Sequence, residues 1–209
     1  MGSVGNVNKS NSVLGVQSKS RAVDIDSDMM HAMVNPNFGA DRGYDTNCAL
    51  CVVAAELNAR GYNVEAAIRD NVWRGSSDIF DLASVSTDDA LIPARTWARY
   101  SHLSGSVSWK TRTQVGNQIT KKMTSWGDGS RAIFTFEWSG YRSAHTINLV
   151  NRGGTVYAVD TQSGKRMTLN QYLSTRPVKP STAAVIRSDN LKIKSNLDKS
   201  VIDKMLIIH

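Results

Sequence analysis

Asp45-Thr46-Asn47-Cys48-Ala49-Leu50-Cys51-Val52-Val53-Ala54-Ala55-Glu56 is the stretch that decides how this chain folds. Asp45 or Thr46 can cap a helix. The helix runs to about Ala59, where Arg60-Gly61 supplies a C-terminal stop. Cys48, Cys51, Val52, Ala55 and Ala59 recur at spacings of three and four, so they form one stripe that must pack inward. Cys48 then sits in the first turn of a largely buried helix, and Cys51 lies one turn deeper.

The partner for that stripe lies downstream. Thr113 to Trp126 reads as a second helix, with Val115, Ile119, Met123 and Trp126 on one face and Gly127-Asp128-Gly129 ending it. Strands follow. Arg131 to Trp138 alternates Ala132, Phe134 and Phe136 to one side, and Ser143 to Asn151 is a second strand. Arg152-Gly153-Gly154 makes a tight turn into a third strand, Thr155 to Asp160. Thr168 to Leu173 reads as a short helix and Ala183 to Arg187 as the last strand. A buried helix followed by a run of antiparallel strands is an α+β pattern. Asn35-Pro36-Asn37-Phe38-Gly39 is turn-forming, and residues 70 to 95 are polar with weak helical stretches. Residues 1–28 read as a flexible leader, 29–193 as the folded domain and 194–209 as a charged tail, helical from Leu197 on. Met1-Gly2-Ser3 reads as an appended start of a domain cut from a longer protein.

Chemistry concentrates at three positions. A thiol attacks a carbonyl as its thiolate, and both the positive end of a helix and a nearby imidazolium favour that form. Cys48 has the first and His145 could supply the second. By itself Cys48 reads equally as an inert core cysteine. Cys51 is the alternative nucleophile, in a position where a thiolate would be poorly solvated. A C-x-x-C redox pair is a further reading, although no apolar strand directly precedes it. Of four histidines, only His145 opens an apolar strand; His31 and His209 fall in the tails and His102 in a polar region. About the Arg152-Gly153-Gly154 turn, His145 and Asp160 lie opposite or nearly opposite each other, which lets the carboxylate fix the imidazole tautomer. Gln162 is a second candidate orienter or a substrate-contacting amide, and as a bland alternative a turn residue. The Cys48 N–H with the Asn47 side chain could form an oxyanion hole.

These pieces have a family likeness. Asn35-Pro36-Asn37, Asn47-Cys48-x-x-Cys51-x-x-Ala54 and Arg60-Gly61-Tyr62-x-Val64-x-Ala66 resemble the papain-fold toxin domains of the glutamine deamidase type. So do Trp126-Gly127-Asp128-Gly129-Ser130-Arg131-Ala132, His145, Val159-Asp160-x-Gln162-x-Gly164 and Arg187-x-Asp189-Asn190-Leu191, so the likeness spans residues 33 to 193. It implies a papain-like α+β fold in which the cysteine helix packs on a small antiparallel sheet. It implies a Cys–His–Asp triad at Cys48, His145 and Asp160, and a bacterial toxin or effector that deamidates a glutamine of a target protein. It also implies an immunity protein or delivery partner. The chain departs from the family at Thr161, where proline is favoured, and at Thr146, where an apolar or aromatic residue is favoured; both are expected at the rim of the site. On the same three residues a cysteine protease or a transglutaminase-like acyltransferase remains open, and so does a binding module with a vestigial triad.

Composition narrows the setting. A net charge of +7 raises nucleic acid as a partner, but the basic residues are scattered and a solvated surface explains them better. Two cysteines three residues apart close almost no loop, so they do not form a disulfide scaffold and a reducing cytosol suits the chain. No second C-x-x-C and no paired histidines suggest zinc, and no cofactor motif is present. No apolar run approaches the roughly 18–20 residues that span a bilayer. No signal peptide is visible. With the family resemblance, this implies a protein secreted or translocated by a signal-peptide-independent route that acts in the cytosol of a target cell.

Overall fold

The computed structural model describes residues 22–69, 83–84, 90–93, 107–193, 203 and 205–209. The expectations for residues 70 to 82 and for His102 lie outside the described residues. Helix α2 (Cys48–Asn58) is buried from Leu50 to Asn58 on every face, because other elements close round it. It lies against a six-stranded antiparallel sheet ordered β3-β8-β4-β5-β6-β7. The strands are β3 (Ala90–Leu91), β4 (Arg131–Glu137), β5 (Ala144–Arg152), β6 (Thr155–Asp160), β7 (Lys165–Thr168) and β8 (Ala184–Arg187).

The period of two along β4, β5 and β6 splits the sheet between two cores. Ile133, Val150 and Val159 face α2, together with Met30 and Val34 of a short helix α1 (Asp28–Val34). Phe134, Phe136, Ile147, Leu149 and Ala158 face the other way. There they meet Val115, Ile119 and Met123 of α3 (Arg112–Trp126), and Leu169, Tyr172 and Leu173 of α4 (Leu169–Thr175). Thr111 and Gln114 close a capping box on α3, which starts that helix one residue earlier than its apolar stripe suggests. Gly153 and Gly154 both have positive φ, 56° and 88°, as a two-residue turn between right-twisted strands requires.

Two pieces of the chain read as tails are packed. Ile25 is 1 % exposed and joins the α2 core, and Ser27 caps α1, so residues 22–28 are not a loose leader. His31, placed in a tail by its sequence, lies in α1. At the other end, β10 (Leu206–Ile208) pairs antiparallel with β1 (Val64–Ala66), and Met205 and Leu206 are buried in the α2 core. Asp203 and Met205 are helical, in line with the helix expected from Leu197, whose residues 197–202 and 204 lie outside the described ones; the chain then ends in strand, because Leu206 is buried beside α2. A further pair joins β2 (Ala83–Ser84) to β9 (Lys192–Ile193), so Ala184–Arg187 is not the last strand.

A buried carboxylate fastens α2 to the sheet. Glu56, 4 % exposed, accepts from Arg60 at 2.8 Å, from Arg131 at 2.9 and 3.0 Å and from Ser188 at 2.9 Å. Two guanidiniums and a hydroxyl offset the cost of burying that charge.

Candidate active site

Cys48, His145 and Asp160 meet at one end of the sheet, where α2 and β5 begin and β6 ends. Helix α2 opens at Cys48 without the expected caps. Asn47 is the N-cap residue, and its side chain makes no capping bond. The Asp45 carboxylate accepts instead from the Gly39 N–H at 2.8 Å, and the Thr46 hydroxyl donates to the Arg42 carbonyl at 3.0 Å. Both side chains thus organise the preceding loop. Cys48 is half-buried, while Cys51 is fully buried.

The register of the hairpin explains the histidine–aspartate pair. Val159 pairs with Asn148, so Asp160 continues opposite Ile147, two positions from His145 and on the same face. This diagonal brings His145 Nε2 to 3.2 Å from Asp160 Oδ2. Ser163 donates to Asp160 through its hydroxyl at 2.8 Å and its N–H at 3.3 Å. Cys48 lies near the same imidazole, close enough to raise its pKa, while Nε2 is engaged by Asp160. Trp138 stacks on the ring at 5.5 Å and 19°, and Phe136 meets it edge-on at 6.0 Å. These two aromatics are site residues that the sequence reading missed. Their alternation along β4 carried the signal, since Phe136 is the direct partner of His145 across the sheet.

The electrostatics follow from this packing. Burial by itself would lower the His145 pKa. The hydrogen bond and charge of Asp160, with Cys48 close by, outweigh burial and raise it from 6.5 to about 9. Burial pushes the Asp160 carboxyl up, but the bonds from His145 and Ser163 overcome this and hold it below its ordinary 3.8. Burial, then the proximity of Cys48 and Asp160, raises the Cys51 thiol well above its ordinary value. Cys51 also donates its thiol hydrogen to Asn47 Oδ1 at 3.2 Å. A buried, protonated thiol bonded to an amide is a poor nucleophile.

Asn47 and Gln162 are close to the site but committed elsewhere. The Asn47 amide hydrogens go to Asn35 Oδ1 at 3.2 Å and the Ala67 carbonyl at 3.1 Å. Gln162 Nε2 donates to Asn47 Oδ1 at 3.2 Å and to the Tyr44 carbonyl at 3.5 Å. In this structure the hydrogens of both side chains are engaged within the protein, tying the start of α2 to the loop after β6. Thr146 and Thr161 do not form a rim. They are 8 % and 1 % exposed, and their hydroxyls donate to the Phe134 carbonyl and to Asn148 Oδ1.

Among the described residues no group of three or more His, Cys, Asp or Glu side chains could hold a metal ion. None of the described helices is long and apolar enough to cross a membrane. A family model described as papain fold toxin 1, glutamine deamidase, matches residues 46–165. No curated protein and no solved structure matches the chain.

Proposed function

The chain belongs to the papain fold toxin 1, glutamine deamidase family, and from that premise we propose that it hydrolyses a glutamine side-chain amide in a target protein. The observation that carries this reading is the gathering of Cys48, His145 and Asp160, with His145 Nε2 3.2 Å from Asp160 Oδ2 and the imidazole raised to about 9. An imidazole so placed keeps its proton at neutral pH beside the Cys48 sulfur, ready to pass it to a leaving nitrogen.

The steps balance as follows. The Cys48 thiolate adds to the amide carbon, and the developing oxyanion is received by the Cys48 N–H, one of the first-turn donors with no partner inside the helix. Imidazolium His145 protonates the nitrogen as the carbon–nitrogen bond breaks, releasing ammonia and leaving a thioester. Neutral His145 then takes a proton from water, whose oxygen adds to the thioester carbon. Collapse of that intermediate expels the thiolate and leaves glutamate, with His145 protonated again. Asp160 holds the ring in register throughout.

The domain is best extended beyond 29–193, since Ile25 and Leu206 pack in the core of α2. The setting that suits the family is a bacterial toxin or effector delivered into the cytosol of a target cell, restrained in its producer by an immunity protein.

Ammonia release from a target-cell protein extract, measured with the wild type and with Cys48→Ala, tests the reading. The expected result is release by the wild type alone, with intact protein masses showing no cleavage. Shorter fragments, with no ammonia, would establish a protease instead. Unchanged toxicity of Cys48→Ala in target cells would establish a binding module.

A further inference from the structure

Three buried primary amides outside the triad form a closed cluster between the two halves of the site. Asn35, Asn47 and Gln162 are 0 %, 1 % and 7 % exposed. Asn35 Nδ2 donates to the carbonyls of Tyr44 and Gln162, both at 3.1 Å. Its Oδ1 accepts from Asn47, whose second hydrogen goes to the Ala67 carbonyl. Asn47 Oδ1 accepts from Gln162 and from the Cys51 thiol. All six amide hydrogens of the three side chains are donated, an expensive arrangement to bury unless it fixes something.

What it fixes is the distance between the start of α2 and the loop after β6. Asn47 precedes Cys48 on α2, and Gln162 follows Asp160 by two residues on the β6–β7 loop. That loop is gripped on its other side as well. His31 Nδ1 lies 3.1 Å from the Thr161 carbonyl, and Thr161 reaches the α2 carbonyl of Val52 through Asn148. Gly164 has φ +73°, and a Cβ there would lie 2.9 Å from the His31 ring, so α1 and the loop are in direct contact.

We propose that Asn35, at the end of α1, is a positioning residue that sets the loop carrying Asp160 against the helix start carrying Cys48, and so holds the imidazole between carboxylate and thiol. Asn35 touches none of the three reacting groups. It acts through Asn47 and Gln162. The inference rests on the deamidase reading for its meaning in turnover, but the alignment it describes has a signature that needs no substrate.

That signature is the pH dependence of Cys48 alkylation by iodoacetamide. Loosening the clamp weakens the Asp160 bond that holds the His145 proton, so the limb near pH 9 moves acid, towards the ordinary 6.5. Asn35→Asp keeps the acceptor for Asn47 and loses both donors. Gln162→Met removes the bond to Asn47 and provides a second variant should Asn35→Asp fail to fold. Asn151→Asp is the control, since Asn151 is another fully bonded buried amide, 1 % exposed, at the far end of β5. The expected result is an acid-shifted alkylation limb for Asn35→Asp and Gln162→Met but not for Asn151→Asp. Ammonia release should fall about 10²-fold in kcat with KM nearly unchanged, as for a small misalignment of reacting groups. A wild-type alkylation limb in both clamp variants, or an equal shift in Asn151→Asp, overturns the proposal. A shifted limb in a protein that releases no ammonia would uphold the clamp while sinking the deamidase reading.

Discussion

The β5–β6 hairpin has a closed end and an open end, and its polar side chains serve opposite purposes at the two. At the closed end, Asn151 donates to the carbonyls of Met123 and Gly127 and accepts from the Gly154 N–H, while Asp128 accepts from the Gly153 N–H. Arg152 pairs with Asp26 beside them. Most of these partners are backbone groups with fixed geometry, and the bonds hold the turn to the end of α3. At the open end, His145 and Asp160 bond to each other beside Cys48. Those partners all titrate, so the same hairpin is a fixed scaffold at one end and a proton-holding site at the other.

The largest effects belong to the open end. Cys48→Ala and His145→Ala should each lower kcat by about 10⁴-fold or more, because members of such a unit fail together, with unfolding midpoints close to wild type. A variant retaining a tenth of wild-type ammonia release would break the comparison. Asp160→Asn should cost about 10²–10⁴-fold and shift the alkaline limb of the rate profile below the wild-type value near pH 9, since it removes the chief group holding the His145 proton. A profile left in place would mean that the Asp160–His145 bond does not set it.

The pair also couples stability to pH, in opposite senses. Folding raises the imidazole above its ordinary 6.5, so its contribution is complete below that value and lost as pH rises through about 9. The Asp160 carboxyl is depressed, so its contribution is present above the ordinary 3.8 and lost as pH falls through the lower folded value. Denaturant melts between pH 6 and pH 10 should show a loss in the wild type that His145→Ala lacks.

Effects at the closed end should fall on stability alone. Asn151→Ala orphans two carbonyls and one N–H, at a cost of about 1–3 kcal/mol, with activity per folded molecule unchanged. Gly154→Ala places a Cβ with nothing within 4 Å at φ +88°, so backbone strain alone decides its cost, about 1–2 kcal/mol. A loss of turnover per folded molecule in either variant would show that the two ends are not separable. Cys51→Ala should change least, leaving kcat within about twofold because the thiol is buried and already bonded to Asn47.

What could be read in the sequence was whatever has a period or a turn. The α2 stripe, the alternation of Phe134 and Phe136 and the paired glycines place Cys48, His145 and Asp160 close to where they are found. The register corrects this only from opposite to diagonal. The unread parts have no period. Helix α1 has seven residues and is held by Met30 and Val34 in the core. Strand β10 is three residues in a charged stretch, and it forms because Leu206 finds the α2 core. Amides leave no pattern in sequence at all, so Asn47 and Gln162 invited a substrate role. Their hydrogens turn out to be spent on Asn35, Ala67 and Tyr44.

The central claim is that Cys48 takes the acyl group of a glutamine side chain and hands it to water. Peptide-resolved mass spectrometry of a target-cell extract, after exposure to the wild type and to Cys48→Ala, tests this most directly. The account predicts at least one peptide in which a glutamine becomes glutamate with the wild type alone. No Cys48-dependent glutamine-to-glutamate change, or the appearance of new peptide termini in its place, would contradict it.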